Sequence, residues 1–293
     1  MNTVCTFVSL DSYNTGNFSR YISPQRHLVE YILINSCCLV ILRLFFLGSK
    51  ANDNIKSQKR CQPIRPVLIL RVWACMSVAL QMCYKCIGYS GKTYFWVMPC
   101  NVYQVLCVVS SFWPNLSYEA SVLLAQVSIG YSGLAIVAVA TPDTSDLILF
   151  GEKPYFFISH SVLVIFPYLY IWNGQLSMLP STRNSLSNFK YITTLAKDAI
   201  YWWSFTCITF ALFYFAIVTP LSIFSGLNLN YMLSPPANQD IVVGDNYRLI
   251  SIICVASVFL ATRLLAITME LVIRALNSFC IHRKVAQKLK KSN

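Results

Sequence analysis

Charge is what this chain has least of. Only 12% of its 293 residues are Asp, Glu, Lys or Arg, where a soluble domain of this length carries about a quarter. That deficit excludes a water-soluble globular fold, and the mean hydropathy of +0.55 agrees. Histidine is scarcer still, at three residues, and no acidic residue follows Glu270. Internal repeats, low-complexity tracts and a second domain are absent. Residues 1–27 have no apolar core or small-residue cleavage site, so no removable leader is expected and the first apolar segment acts as an uncleaved anchor. Cysteine is plentiful, at twelve, yet most of these thiols lie inside apolar runs. Cys37, Cys38, Cys75, Cys83, Cys107, Cys207 and Cys254 read as small apolar fillers. Cys83 and Cys86 have bare C-x-x-C spacing with no second pair to match. No metal site and no cofactor is expected.

Seven apolar segments are present, each near the length needed to cross a hydrocarbon core of about 30 Å. They are Leu28–Leu47, Pro66–Cys86, Tyr94–Trp113, Ala120–Ala140, Tyr155–Trp172, Ile200–Phe224 and Leu249–Ile273. Tyr94, Trp96, Trp113, Trp172, Tyr201, Trp202, Trp203 and Tyr247 gather at their ends as an interfacial belt. The fold class predicted is all-α: a polytopic membrane bundle of about seven helices. Residues 1–27 form a polar N-terminal segment, 28–273 the single transmembrane domain and 274–293 a basic tail. Lys50, Lys56, Lys59, Arg60 and Arg65 fill the first connection, and Arg274, Arg283, Lys284, Lys288, Lys290 and Lys291 fill the tail. Seven spans put both blocks on one side, which the positive-inside rule makes cytosolic. Arg183, Lys190 and Lys197 fall on that side too, whereas Asp143, Asp146, Glu152, Asp240 and Asp245 fall on the other. The N-terminus is then lumenal or extracellular, where the Asn17-Phe18-Ser19 sequon is accessible and Asn115-Leu116-Ser117 is not. The net charge of +12 is explained by basic tracts lying against anionic headgroups, not by nucleic acid.

Ionisable side chains in a bilayer need a partner or a purpose. Arg43 and Lys85 stand near segment ends and are expected to snorkel. Arg263 and Glu270 share one helical face and are expected to find partners on neighbouring helices. His160 is too short to reach the headgroups and is the only imidazole within any of the seven segments, although an intramembrane His can also simply hydrogen-bond across helices. Cys100 is the seventh residue of its segment and His160 the sixth of its own. Both segments run inward from the non-cytosolic face, so at ~1.5 Å per residue the two side chains lie roughly 8–9 Å below it. Pro99 is predicted to disturb the helix beside the thiol. Gly226–Asn246, rich in Asn and Pro, opposes a continuing helix and suggests a lid packed over the same layer.

Three blocks carry a likeness: Val97-Met98-Pro99-Cys100, Tyr155-Phe156-Phe157-Ile158-Ser159-His160, and Leu227-Asn228-Leu229-Asn230-Tyr231-Met232 with Ser234-Pro235. Tyr168-Leu169-Tyr170-Ile171-Trp172-Asn173-Gly174 extends the second. In this order, over roughly residues 66–275, the chain resembles the transmembrane protein 164 family of multipass lipid acyltransferases. The family pattern has His directly after the Cys and Asn before the Pro, where this chain has Asn101 and Met98. The resemblance implies that Cys100 and His160 are catalytic. It also implies transfer of a polyunsaturated acyl chain from a diacyl phospholipid to a lyso-ether phospholipid without acyl-CoA. Membrane phospholipids are then the partners, as acyl donor and acceptor, and an endoplasmic reticulum or Golgi membrane the place.

The chemistry suits the residues. A thiol in apolar surroundings is a poor nucleophile until a base lies beside it. His160 could take the Cys100 proton and return it to the departing lysolipid oxygen. Asn101, Asn228 and Asn230 are oxyanion or substrate-orienting candidates by side-chain type. The alternatives are a seven-helix receptor, a transporter or a scaffold without catalysis. The receptor reading lacks an Asp-Arg-Tyr motif after the third segment and an Asn-Pro-x-x-Tyr motif in the seventh. No Lys lies within Leu249–Ile273 to hold retinal, and the repeat symmetry of many transporters is missing.

Overall fold

Apolar runs longer than a bilayer is thick have one cheap solution, a helix that satisfies its own backbone. A computed structural model of the chain describes residues 22–47, 68–87, 92–112, 118–142, 144, 147–179, 188–233 and 246–292. Among these there are helices and short helical turns and no extended strand. The helices are α1 (Pro24–Leu47), α2 (Leu68–Ile87), α3 (Pro99–Phe112), α4 (Tyr118–Ala140), α5 (Glu152–Trp172), α6 (Asn188–Phe213), α7 (Thr219–Ser225) and α8 (Tyr247–Ser292). A 3₁₀ segment, Lys92–Val97, precedes α3, and a π turn, Tyr214–Val218, joins α6 to α7 in one rod. Six helices among the described residues are long and apolar enough to cross a membrane. The protein is an integral, multipass membrane protein.

The core sits around α4, more than half of which is buried, while α1 and α2 turn most of their surface outward. Leu28, Val29, Ile32, Leu33, Leu39 and Val40 of α1 are all exposed, as a lipid-facing helix requires. Small residues let the neighbours reach α4 closely. A Cβ on Gly130 would run into a methyl of Thr206, and one on Gly133 would stand 2.6 Å from a methyl of Val258. Backbones approaching this closely gain packing that lipid cannot supply. Tyr131 then stacks on Phe259 with ring centroids 6.0 Å apart, joining α4 to α8.

The third apolar segment differs most from its sequence reading. Instead of one helix over Tyr94–Trp113 there is the 3₁₀ segment followed by a helix of 14 residues. The helix spans only about 21 Å at ~1.5 Å per residue. Pro99 is the cause: it has no N–H to give to the Phe95 carbonyl, so the helix restarts with Pro99 as its first residue. The Phe95 carbonyl is taken instead by the Met98 N–H at 3.1 Å and by the Asn101 side-chain amide at 2.7 Å.

Other elements outrun their apolar segments. The rod of α6 and α7 begins at Asn188, before the sixth segment, and α8 continues through the basic tail to Ser292. Lys85 does not snorkel: it is buried, with Nζ 5.5 Å above the Phe95 ring. Arg263 and Glu270 do find partners. The Arg263 guanidinium donates to Gln126 of α4. Glu270 accepts the N–H groups of Met178 and of Leu179, the latter at 3.1 Å, and the Ser177 hydroxyl at 2.8 Å. The lid is described over Gly226–Leu233, where Leu227, Asn228, Leu229, Met232 and Leu233 are buried. Its 3₁₀ turn, Leu229–Tyr231, packs on Lys92–Val97. Both sequons, and the lid residues from Ser234 to Asp245, lie outside the described residues.

Candidate functional site

Two contacts set the register between α3 with its 3₁₀ lead-in and α5. At one end Lys92 and Glu152 form an ion pair at 2.6 Å, with side chains 0% and 3% exposed. Gly151, at φ 76° in the left-handed region, turns the chain so that Glu152 opens α5 facing inward. Glu152 also accepts the Leu149 N–H at 3.2 Å. Farther along, Pro167 interrupts α5 and leaves the Leu163 carbonyl without its helical donor. The Tyr103 hydroxyl fills the vacancy at 3.3 Å.

Both contacts join residues 60 positions apart. Cys100 and His160 are 60 apart as well, and they lie between the two. The two elements therefore run in parallel as neighbours, and Cys100 and His160 each stand three residues before a member of the Tyr103–Leu163 bond. No hydrogen bond joins the two side chains among the described residues.

The imidazole is held in one orientation. His160 is 6% exposed, its ring lies against Phe156 at a centroid distance of 4.1 Å, and Nδ1 is 2.8 Å from the Phe156 carbonyl oxygen. A carbonyl can only accept, so Nδ1 carries the proton and Nε2 keeps its lone pair. That is the tautomer a general base needs. The Ser159 hydroxyl flanks Nδ1 at 3.4 Å. Tyr214, in the π turn, lies within electrostatic reach of the Cys100 thiol. The turn arises where Pro220 cannot continue the helical ladder, and the Thr219 hydroxyl caps the Tyr214 carbonyl at 3.0 Å. π turns of this kind recur at functional sites.

The three asparagines are placed differently. Asn101 sits one residue past Cys100 but gives its amide to the Phe95 carbonyl. Asn228 is buried in the lid and accepts the Leu233 N–H at 2.7 Å, closing that loop. Asn230 lies in the 3₁₀ turn, its side chain outside the described residues.

Sequence reasoning missed three groups. Glu152 read as a loop charge and Lys92 drew no reading, although each stands eight residues before one member of the Cys–His pair. That shared offset was the available signal. Tyr155 and Gln104 form the second group: the Tyr155 hydroxyl donates to the Ser77 carbonyl at 2.7 Å and lies 3.4 Å from Gln104 Oε1, tying α2, α3 and α5 together. Arg248 is the third. It donates through Nε to the Met232 carbonyl at 2.8 Å and pairs with Glu30 at 2.8 Å. Its other nitrogen meets Met232 and, at 2.8 Å, His27 Nδ1. The Tyr247 hydroxyl adds a bond of 2.9 Å to the same carbonyl. These donors clamp the lid to α1 and α8.

The family model described as the TMEM164 family matches residues 21–267. The chain belongs to the TMEM164 family. Among curated proteins it is similar to a Transmembrane protein 164 homolog of Dictyostelium discoideum, 27% identical over 222 residues that cover 74% of this chain and 73% of that protein. No solved structure matches. The family match takes in α1 to α7, the lid and the first half of α8, so Cys100 and His160 both fall within it.

Proposed function

We propose that this TMEM164-family chain is a membrane-embedded, CoA-independent acyltransferase. It moves a polyunsaturated acyl chain from a diacyl phospholipid to a lyso-ether phospholipid through a thioester on Cys100. The observation that carries the reading is the Nδ1–H bond of His160 to Phe156, which leaves Nε2 free to act as a base. Nε2 takes the Cys100 proton, sulfur attacks the ester carbonyl, and the lysolipid leaves with the proton from His160. The acceptor hydroxyl then attacks the thioester with His160 again as base. Burial under the lid keeps water from the thioester, so transfer outruns hydrolysis. Loop charge puts the site near the lumenal face and the tail in the cytosol, with seven passes once α3 and its 3₁₀ lead-in count as one. The membrane is that of the endoplasmic reticulum or Golgi.

The test is transfer between labelled diacyl phospholipid and lyso-ether acceptor by purified protein in vesicles, with no acyl-CoA added. Wild type transfers label, and Cys100→Ser and His160→Ala variants that fold normally do not. Equal rates in all three would sink the proposal.

A further inference from the structure

The side-chain amide of Gln104 is buried to 1% exposure and nearly without partners. Its Oε1 meets only the Tyr155 hydroxyl, 3.4 Å away, whose single proton goes to Ser77 at 2.7 Å. Its Nε2, with two hydrogens to donate, has no acceptor among the described residues. An amide nitrogen with no acceptor from the protein is free to donate to a ligand oxygen. Gln104 lies one turn past Cys100 on the same face of α3. Helical side chains lean toward the N-terminus, so its amide covers the turn that holds the thiol. A second donor waits in that turn. Cys100 is the second residue of α3, where an amide N–H has no intrahelical acceptor. The next two N–H groups, of Asn101 and Val102, both take the Met98 carbonyl, at 3.0 and 3.1 Å.

We infer that the Gln104 amide and the Cys100 backbone N–H together bind the carbonyl oxygen of the ester under attack and the oxyanion it becomes. Tyr155, braced on Ser77, is the positioning residue that keeps the amide turned toward Cys100. The inference rests on Cys100 being the nucleophile. As sulfur bonds to the carbonyl carbon and the thiol proton passes to His160 Nε2, the C=O π electrons move onto oxygen, where both donors meet the charge. The carbonyl re-forms as the ester C–O bond breaks, and the proton goes to the leaving lysolipid oxygen.

Two reactions of Cys100 separate this role from a structural one. Acylation by labelled diacyl phospholipid develops a carbonyl oxyanion; attack on a methanethiosulfonate does not. Gln104→Leu is expected to slow acylation about 10²–10³-fold, the loss typical of one oxyanion donor, while thiosulfonate labelling keeps its wild-type rate. Tyr155→Phe slows acylation alone by a smaller factor, and an equal fall in both reactions removes Tyr155 from the account. Acylation of Gln104→Leu at the wild-type rate, or an equal fall in both its reactions, overturns the role of Gln104 while leaving Cys100 in place. A wild type that forms no adduct on Cys100 overturns the nucleophile reading and this inference with it.

Discussion

Two residue pairs, each 60 positions apart and here called rungs, lie on the same two elements, and they are built in opposite ways. At Lys92 and Glu152 both members are charged, fully buried and matched: Nζ reaches both carboxylate oxygens, and a backbone N–H adds a third contact. Eight residues farther on stand Cys100, which is partly exposed, and His160, which is buried, with the buried Gln104 a turn beyond the thiol; the thiol, the His160 Nε2 and the Gln104 amide nitrogen have no hydrogen-bond partner among the described residues. Buried polar atoms are nearly always paired. A rung that satisfies itself is architecture; one that does not is waiting for atoms from outside. The second depends on the first, because the ion pair and the Tyr103–Leu163 bond hold together the two elements that carry the thiol and the imidazole.

The comparison breaks most easily at the second rung. His160→Ala should cost about 10²–10⁴ in transfer rate, the usual contribution of a general base, with thermal unfolding in detergent little changed. At the first rung the pattern reverses. Glu152→Gln leaves Lys92 as an unpaired buried charge and should lower stability by about 3–5 kcal/mol, read as reduced folded yield and an earlier melt. Replacing both partners, as Lys92→Met with Glu152→Gln, should recover much of that loss because no lone charge remains. Gly133→Val, away from both rungs, should cost about 1–3 kcal/mol by overpacking α4 against α8 and leave the relative rates of wild type and His160→Ala unchanged. Comparable is Tyr103→Phe, which orphans the Leu163 carbonyl for about 1–3 kcal/mol. Its informative readout is a slower transfer as the register loosens.

Much of this was legible in the sequence, for physical reasons. Apolar length fixes which segments can lie in lipid, and Pro99 announced the break before α3. Counting from segment starts sets Cys100 and His160 at one expected depth, although the 3₁₀ lead-in of the first and the α-helix of the second rise by different steps. Helix ends were less legible. Hydropathy marks what tolerates lipid, whereas a helix continues until something stops it, and neither Asn188–Thr219 nor the chain after Gly244 contains Gly or Pro. Pairings were least legible. Lys92 and Glu152, Tyr103 and the Leu163 carbonyl, Gln104 and Tyr155 are each joined only by the fold. Asn101 shows why residue type alone misleads: its amide beside the thiol repairs the backbone that Pro99 opens.

The central claim is that Cys100 carries the acyl group and His160 activates it. The most direct measurement is single-turnover acylation from labelled diacyl phospholipid, with the adduct mapped by mass spectrometry and challenged with hydroxylamine. The account predicts a hydroxylamine-labile acyl group on Cys100, absent in Cys100→Ala and formed far more slowly in His160→Ala. An acyl group on another residue, or a Cys100 adduct that forms as fast without His160, would contradict it.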